Sequence, residues 1–80
     1  MELKDLRYFC LAAELGSITR AAETLGVSQP FVTKVINRLE EELGTQLFDL
    51  NKRRIVLNTN GEFFYRGAKD IVTRADTLVG

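Results

Sequence analysis

The chain has 80 residues, 45% of them hydrophobic, and its 11 Lys and Arg balance 11 Asp and Glu. That length holds one small domain, and no apolar run reaches the roughly 18 residues of a membrane span. With no histidine and one cysteine, Cys10, there is no internal disulfide and no zinc ligand set, and a reducing cytosolic setting is expected.

The opening "MELKDLRYF" mixes acids and bases without an apolar stretch, so it does not read as a signal peptide. Residues 3–15 carry Leu3, Leu6, Phe9, Cys10 and Ala13 at helical spacing, which predicts an amphipathic helix stopped by Gly16. Ser17 then caps a short helix over 18–25, with Ile18, Ala21, Ala22 and Leu25 inward and Gly26 as its stop. Val27 plugs the turn, and Ser28 caps a third helix that has Pro30 in its first turn. Its stripe of Val32, Val35, Ile36, Leu39 and Leu43 runs to Gly44. Beyond it, "TQLFDL" and "RIVLN" are β-capable runs separated by "NKR", which predicts a hairpin with a basic tip. Asn58 or Thr59 caps a last helix from about 59 to near the end, and Thr59 with Glu62 fits a capping box. Phe64, Ala68, Ile71, Ala75 and Leu78 repeat at alternating spacings of four and three, the pattern of a heptad seam.

The chemistry lies on the outer face of the third helix. Gln29, Pro30, Thr33, Lys34 and Asn37 stand opposite the apolar stripe, and residues 28–39 contain no acid. Gln and Asn pair with adenine, Lys donates to guanine or phosphate, and Thr and a proline ring meet a thymine methyl. A helix N-terminus also draws phosphate through its free N–H groups. Small Ala22, Gly26 four residues later, and Val27, Val32 and Val35 give the spacing of a helix-turn-helix, with the hairpin as a wing. Ser17, Thr19 and Ser28 stand at helix starts where a phosphate can be met, and "KRR", residues 52–54, is placed for backbone or minor groove. Arg20 and Arg38 stand equally as backbone contacts or as solvated side chains. Paired carboxylates in a pocket-like context and Gly-rich phosphate loops are lacking, so an enzyme has nothing to rest on.

"LRYF" (6–9), "GSITRAAETLGVSQPFVTKVINRLEEELGTQLF" (16–48), "RRIVL" (53–57) and Gly61 together resemble the N-terminal DNA-binding domain of LysR-type transcriptional regulators. The resemblance covers nearly the whole chain. It implies a mainly α fold: a winged helix-turn-helix of three helices and a β-hairpin wing over residues 1–58, then a long linker helix over 59–80 that dimerises antiparallel. It implies base contacts from Gln29, Pro30, Thr33 and Lys34, and a wing contact from Arg53 towards the minor groove, with Arg54 beside it. It further implies a bacterial regulator reading an interrupted inverted repeat in double-stranded DNA, without cofactor. The expected effector-binding domain would begin where this chain ends, so a small-molecule effector acts only through that domain.

Three positions depart from the family pattern. Lys34 stands where arginine is usual, which weakens bidentate guanine reading. Leu50 stands where the wing usually has arginine, which removes one phosphate contact. "LNTNG" replaces "LTxAG" before the last helix, and Asn58 caps as well as threonine. Near-zero net charge supports a second reading, a winged-helix module that binds protein without DNA specificity. The seam of Phe64, Ala68, Ile71, Ala75 and Leu78 is expected to pair two copies, since about 20 helical residues span some 30 Å, more than this small core covers.

Overall fold

In order along the chain come α1 (Leu3–Leu15), α2 (Ile18–Leu25), α3 (Gln29–Leu43), β1 (Phe48–Leu50), β2 (Ile55–Leu57) and α4 (Thr59–Val79). The structure is a computed structural model that describes residues 1–50 and 54–80, Leu50 by its backbone alone. The fold is mainly helical with an antiparallel hairpin, the expected winged helix-turn-helix architecture followed by a long helix.

Local chemistry sets most of the boundaries. Ser17 Oγ accepts the Arg20 N–H at 3.1 Å, and Ser28 Oγ accepts the Phe31 N–H at 3.2 Å, so both serines cap their helices. The turn between α2 and α3 closes at Gly26, whose φ of 71° lets the Val27 N–H reach the Ala22 carbonyl at 3.0 Å. That backbone conformation is strained for any residue with a Cβ. The cap of α4 is Asn58, whose Oδ1 accepts the Gly61 N–H at 2.8 Å. Thr59 is already helical, so the expected Thr59–Glu62 capping box gives way to the Asn58 cap one residue earlier.

Phe9, fully buried, lies at the junction of the elements. Its ring centre is 5.4 Å from that of Phe48 and 5.2 Å from that of Phe64, joining α1 to the hairpin and to α4. Val32, Val35, Ile36 and Leu39 bury the inner side of α3, as its stripe predicts. Truncating Leu39 to alanine is expected to cost about 2–5 kcal/mol. In α1 the stripe turns out differently at its ends: Leu3 is exposed, whereas Asp5 and Ala12 are buried. The first turn of α1 lies against α3, which brings Asp5 inward, and its later turns lie against α4.

The strands are shorter than their β-capable runs. Phe48 pairs with Leu57, Asp49 with Val56 and Leu50 with Ile55. Residues 45–47 go to other partners: the Leu47 N–H donates to Glu40 Oε2 at 2.8 Å, and the Leu47 carbonyl accepts the Asn58 N–H at 2.9 Å. Gly61 faces that same carbonyl so closely that a Cβ on it would overlap the Leu47 oxygen.

The expected seam on α4 divides. Ala68 is 2% exposed and Phe64 packs on the core of its own chain, along with Tyr65 and Val72. Ala75 is half-buried on that side as well. Phe64 and Ala68 therefore pack on the core of their own chain. Ile71 and Leu78 are exposed, and so is Phe63, which the seam did not include. A spacing of four and three fits any apolar partner, and here α1 occupies one side of the stripe. Among the described residues, no helix is long and apolar enough to cross a membrane.

Candidate nucleic-acid interface

Burying Val32, Val35, Ile36 and Leu39 leaves the other half of α3 in solvent. Gln29, Pro30, Thr33, Lys34 and Asn37 are all exposed and line one continuous surface, with Arg38 at its edge. The structure thus brings together the five candidate base-reading residues. The surface carries no carboxylate before Glu41. Of the three successive glutamates, only Glu41 stands there. Glu40 accepts the Leu47 N–H, and Glu42 pairs with the Met1 ammonium at 2.9 Å. The cation-bearing, amide-rich part is therefore the N-terminal part of α3, where the helix dipole is positive.

The wing stands to one side. A groove lined by Ile18, Thr33, Asn37, Phe48 and Ile55 separates α3 from the hairpin. The Ile55 N–H donates to the Gly16 carbonyl at 3.2 Å, which ties the start of β2 to the turn before α2. Arg54, exposed, has its side chain beside Gly16. Arg54 thus stands beside the turn that leads into Ser17, and Thr19 is exposed in the first turn of α2. Ser17 and Ser28 each accept a cap hydrogen bond, and each hydroxyl keeps its own O–H to donate. Asn51, Lys52 and Arg53, and with them the expected minor-groove contact of Arg53, lie outside the described residues.

The opposite side of α3 holds Arg38, which the sequence left even between backbone contact and solvent, together with Asp5, Phe31, Tyr8 and Lys4, to which sequence reasoning gave no such role. Arg38 Nη2 donates to Asp5 Oδ1 at 2.9 Å, and Asp5 Oδ2 accepts the Glu2 N–H at 3.0 Å. Burial pushes the Asp5 carboxyl up, but the Glu2 amide and the Arg38 guanidinium outweigh it and hold it below its ordinary value. Phe31, 39% exposed, meets Tyr8 edge-on with ring centres 6.0 Å apart, and Lys4 Nζ lies 5.9 Å from the Phe31 ring centre. The available signal was Asp5 itself, an acid three residues after Glu2 at the start of a helix, where a carboxylate can cap.

A second polar cluster fastens α4 to α1. Glu14 Oε2 accepts the Tyr65 hydroxyl at 2.6 Å and pairs with Lys69 Nζ at 2.8 Å. Burial first, then the hydrogen bond to Glu14, pushes the Tyr65 phenol up to about 12. Cys10 is buried in the core as a packing residue, and that burial pushes its thiol up to about 11.

Three comparisons bear on this arrangement. Residues 3–62 match the family described as bacterial regulatory helix-turn-helix protein, lysR family. The HTH-type transcriptional regulator BudR of Klebsiella aerogenes is 47% identical over 79 residues, covering 99% of this chain and 55% of that protein. The HTH-type transcriptional regulator BenM of Acinetobacter baylyi is 40% identical over 79 residues, covering 99% of this chain and 26% of that protein. The chain thus spans about half the length of the one and a quarter of the other. Among solved structures, the BenM DBD in complex with catB site 1 DNA superposes with a TM-score of 0.92 at 40% identity, covering 99% of this chain and 85% of that one. The CbnR DBD–DNA complex gives 0.90 at 38% identity, covering 96% and 88%.

Proposed function

Because the chain belongs to the lysR family of bacterial regulatory helix-turn-helix proteins, we propose that it binds double-stranded DNA sequence-specifically, as a dimer, and so regulates transcription. The observation that carries this reading is the exposed half of α3, where Gln29, Pro30, Thr33, Lys34 and Asn37 form one surface on which α3 itself places no carboxylate before Glu41. Seated in a major groove N-terminus first, that surface reads base edges while residues around it hold phosphates. The DNA complexes of the BenM and CbnR relatives support it. The work of the chain is binding and not catalysis, and its place is the cytoplasm, where bacterial DNA is.

Residues 1–58 serve as the reading unit, and α4 serves as linker. Two copies pair through the side of α4 that its own core leaves open, where Phe63, Ile71 and Leu78 are exposed. Gly67 lies on that side with no atom within 4 Å of where a Cβ would stand, which lets a second helix approach. An effector acts through a further domain of the kind that the resemblance implies.

The test is selection from a pool of random duplexes at two salt concentrations, followed by sequencing. An enriched inverted repeat is the expected result. Retention without enrichment, lost as salt rises, leaves only phosphate attraction and favours a protein-binding winged helix instead.

A further inference from the structure

A helix in the major groove has a sugar–phosphate backbone on either side of it. On the hairpin side of α3 the start of α2 and the wing are available. On the other side the structure places the first two turns of α1. There the Arg38 side chain, 46% exposed, is held through one nitrogen by Asp5, which is 3% exposed. A guanidinium has five N–H donors in a fixed fork. Its donors that are not turned to Asp5 lie on the surface shared by Gln29, Thr33 and Asn37. The Lys4 ammonium, next in sequence to Asp5, rests over the Phe31 ring, in the first turn of α3, and Tyr8 meets that ring edge-on.

We infer that Lys4 and Arg38 form a second phosphate-contacting edge, which grips the DNA backbone on the side of α3 away from the wing. This rests on the DNA-binding reading above. The two cations are restrained by different means without DNA, Lys4 by a ring face and Arg38 by a buried carboxylate. Less side-chain freedom is then lost on contact than for a free lysine or arginine. Such an edge answers a need of this chain: with formally zero net charge there is no overall pull towards a polyanion, so local cations must supply the phosphate attraction. The Asp5 carboxylate does not oppose it, because it is buried and already saturated by Arg38 and the Glu2 amide.

The experiment measures affinity of the 80-residue chain for a random-sequence duplex pool as a function of salt, for wild type, Lys4→Gln and the pair Asp5→Asn with Arg38→Gln. The paired variant removes both charges together and leaves no buried carboxylate unpartnered. Each variant is expected to lower the log–log salt slope by about 0.9, so that the advantage of wild type narrows roughly threefold between about 50 and 200 mM salt. Sequence enrichment is expected to stay as in wild type. If either folded variant keeps the full slope while Gln29→Ala still alters enrichment, the edge is overturned and the DNA reading stands. If wild type retains no duplex, both fall. Lys4 is exposed and its replacement leaves the fold intact, so its slope alone decides should the paired variant melt.

Discussion

Asp5 and Arg38 are 33 residues apart in the chain and 2.9 Å apart in the fold. They fix the first turn of α1 against the helix that carries the candidate base-reading face. Asp5 serves two donors, the Glu2 amide and the guanidinium, whereas Arg38 is half-exposed. Asp5→Ala removes both bonds together with the carboxylate and is expected to cost about 1–2 kcal/mol, whereas Arg38→Ala leaves that carboxylate buried with the Glu2 amide alone and is expected to cost about 2–3 kcal/mol, by chemical denaturation. Equal losses would mean that the unpaired carboxylate carries no extra cost.

The same carboxyl gives the fold an acid-sensitive part. Its pKa is lowered in the folded state, so its contribution is present above the ordinary carboxylate value and is lost as pH falls through the folded one. Asp5→Asn is expected to flatten the acid limb of a Tm profile below about pH 4. Glu14, also held down, remains in that variant and keeps part of the slope. A limb that stays as steep would place the sensitivity elsewhere.

At the alkaline end the sign reverses. The Tyr65 phenol, pushed up to about 12, contributes while it is protonated, and that contribution fades as pH rises from about 10 through 12. Titration of phenolate absorbance in wild type and in Tyr65→Phe should assign a late-titrating phenol to Tyr65. A wild-type curve in which both phenols ionise near about pH 10 would mean that the Glu14 hydrogen bond does not persist in solution.

Two glycines of α4 should respond oppositely to alanine. At Gly61 a Cβ meets the Leu47 carbonyl oxygen and comes within 2.9 Å of Leu57 Cδ2, and backbone cannot step aside. Gly61→Ala is expected to lose about 2–3 kcal/mol despite better helix propensity. At Gly67 nothing is near, so Gly67→Ala should stabilise a monomer by up to about 1 kcal/mol. A weaker dimer in the same variant, by sedimentation, is the signature of a close helix crossing there.

The open side of α4 is tested by Ile71→Asp, which is expected to give monomers in sedimentation while the fold persists, since Ile71 is 50% exposed. A persisting dimer would move the interface off this helix face.

Gln29→Ala should relax preference at one base pair and cost about 1–3 kcal/mol on the selected site, with little change on random duplexes. A uniform loss on all sequences would make Gln29 a phosphate contact.

What could be read in advance was governed by local rules. The ends of α1, α2 and α3 at Leu15, Leu25 and Leu43 follow from glycines just beyond them and from serine caps, all settled within a few residues. The exposed face of α3 follows from its apolar stripe. Asp5 with Arg38, Glu40 with Leu47, and Tyr65 with Glu14 were not legible, because each joins elements whose relative placement is decided only by packing. The seam of α4 is a related case. Residues 64, 68 and 75 repeat correctly, but periodicity names a sticky face and not the partner that takes it, and α1 takes Phe64 and Ala68.

Asn58 does more than begin α4. Its Oδ1 holds the Gly61 N–H, its Nδ2 donates to the Gln46 carbonyl at 2.9 Å, and its own N–H donates to the Leu47 carbonyl. With Gly61 pressed on that same carbonyl, the joint between hairpin and α4 has no hinge. The helix is then a lever arm welded to its head. In the proposed dimer, a rotation imposed on the far end of α4 would swing the reading surface with it, so that the way the two arms cross would set the distance between two heads on DNA.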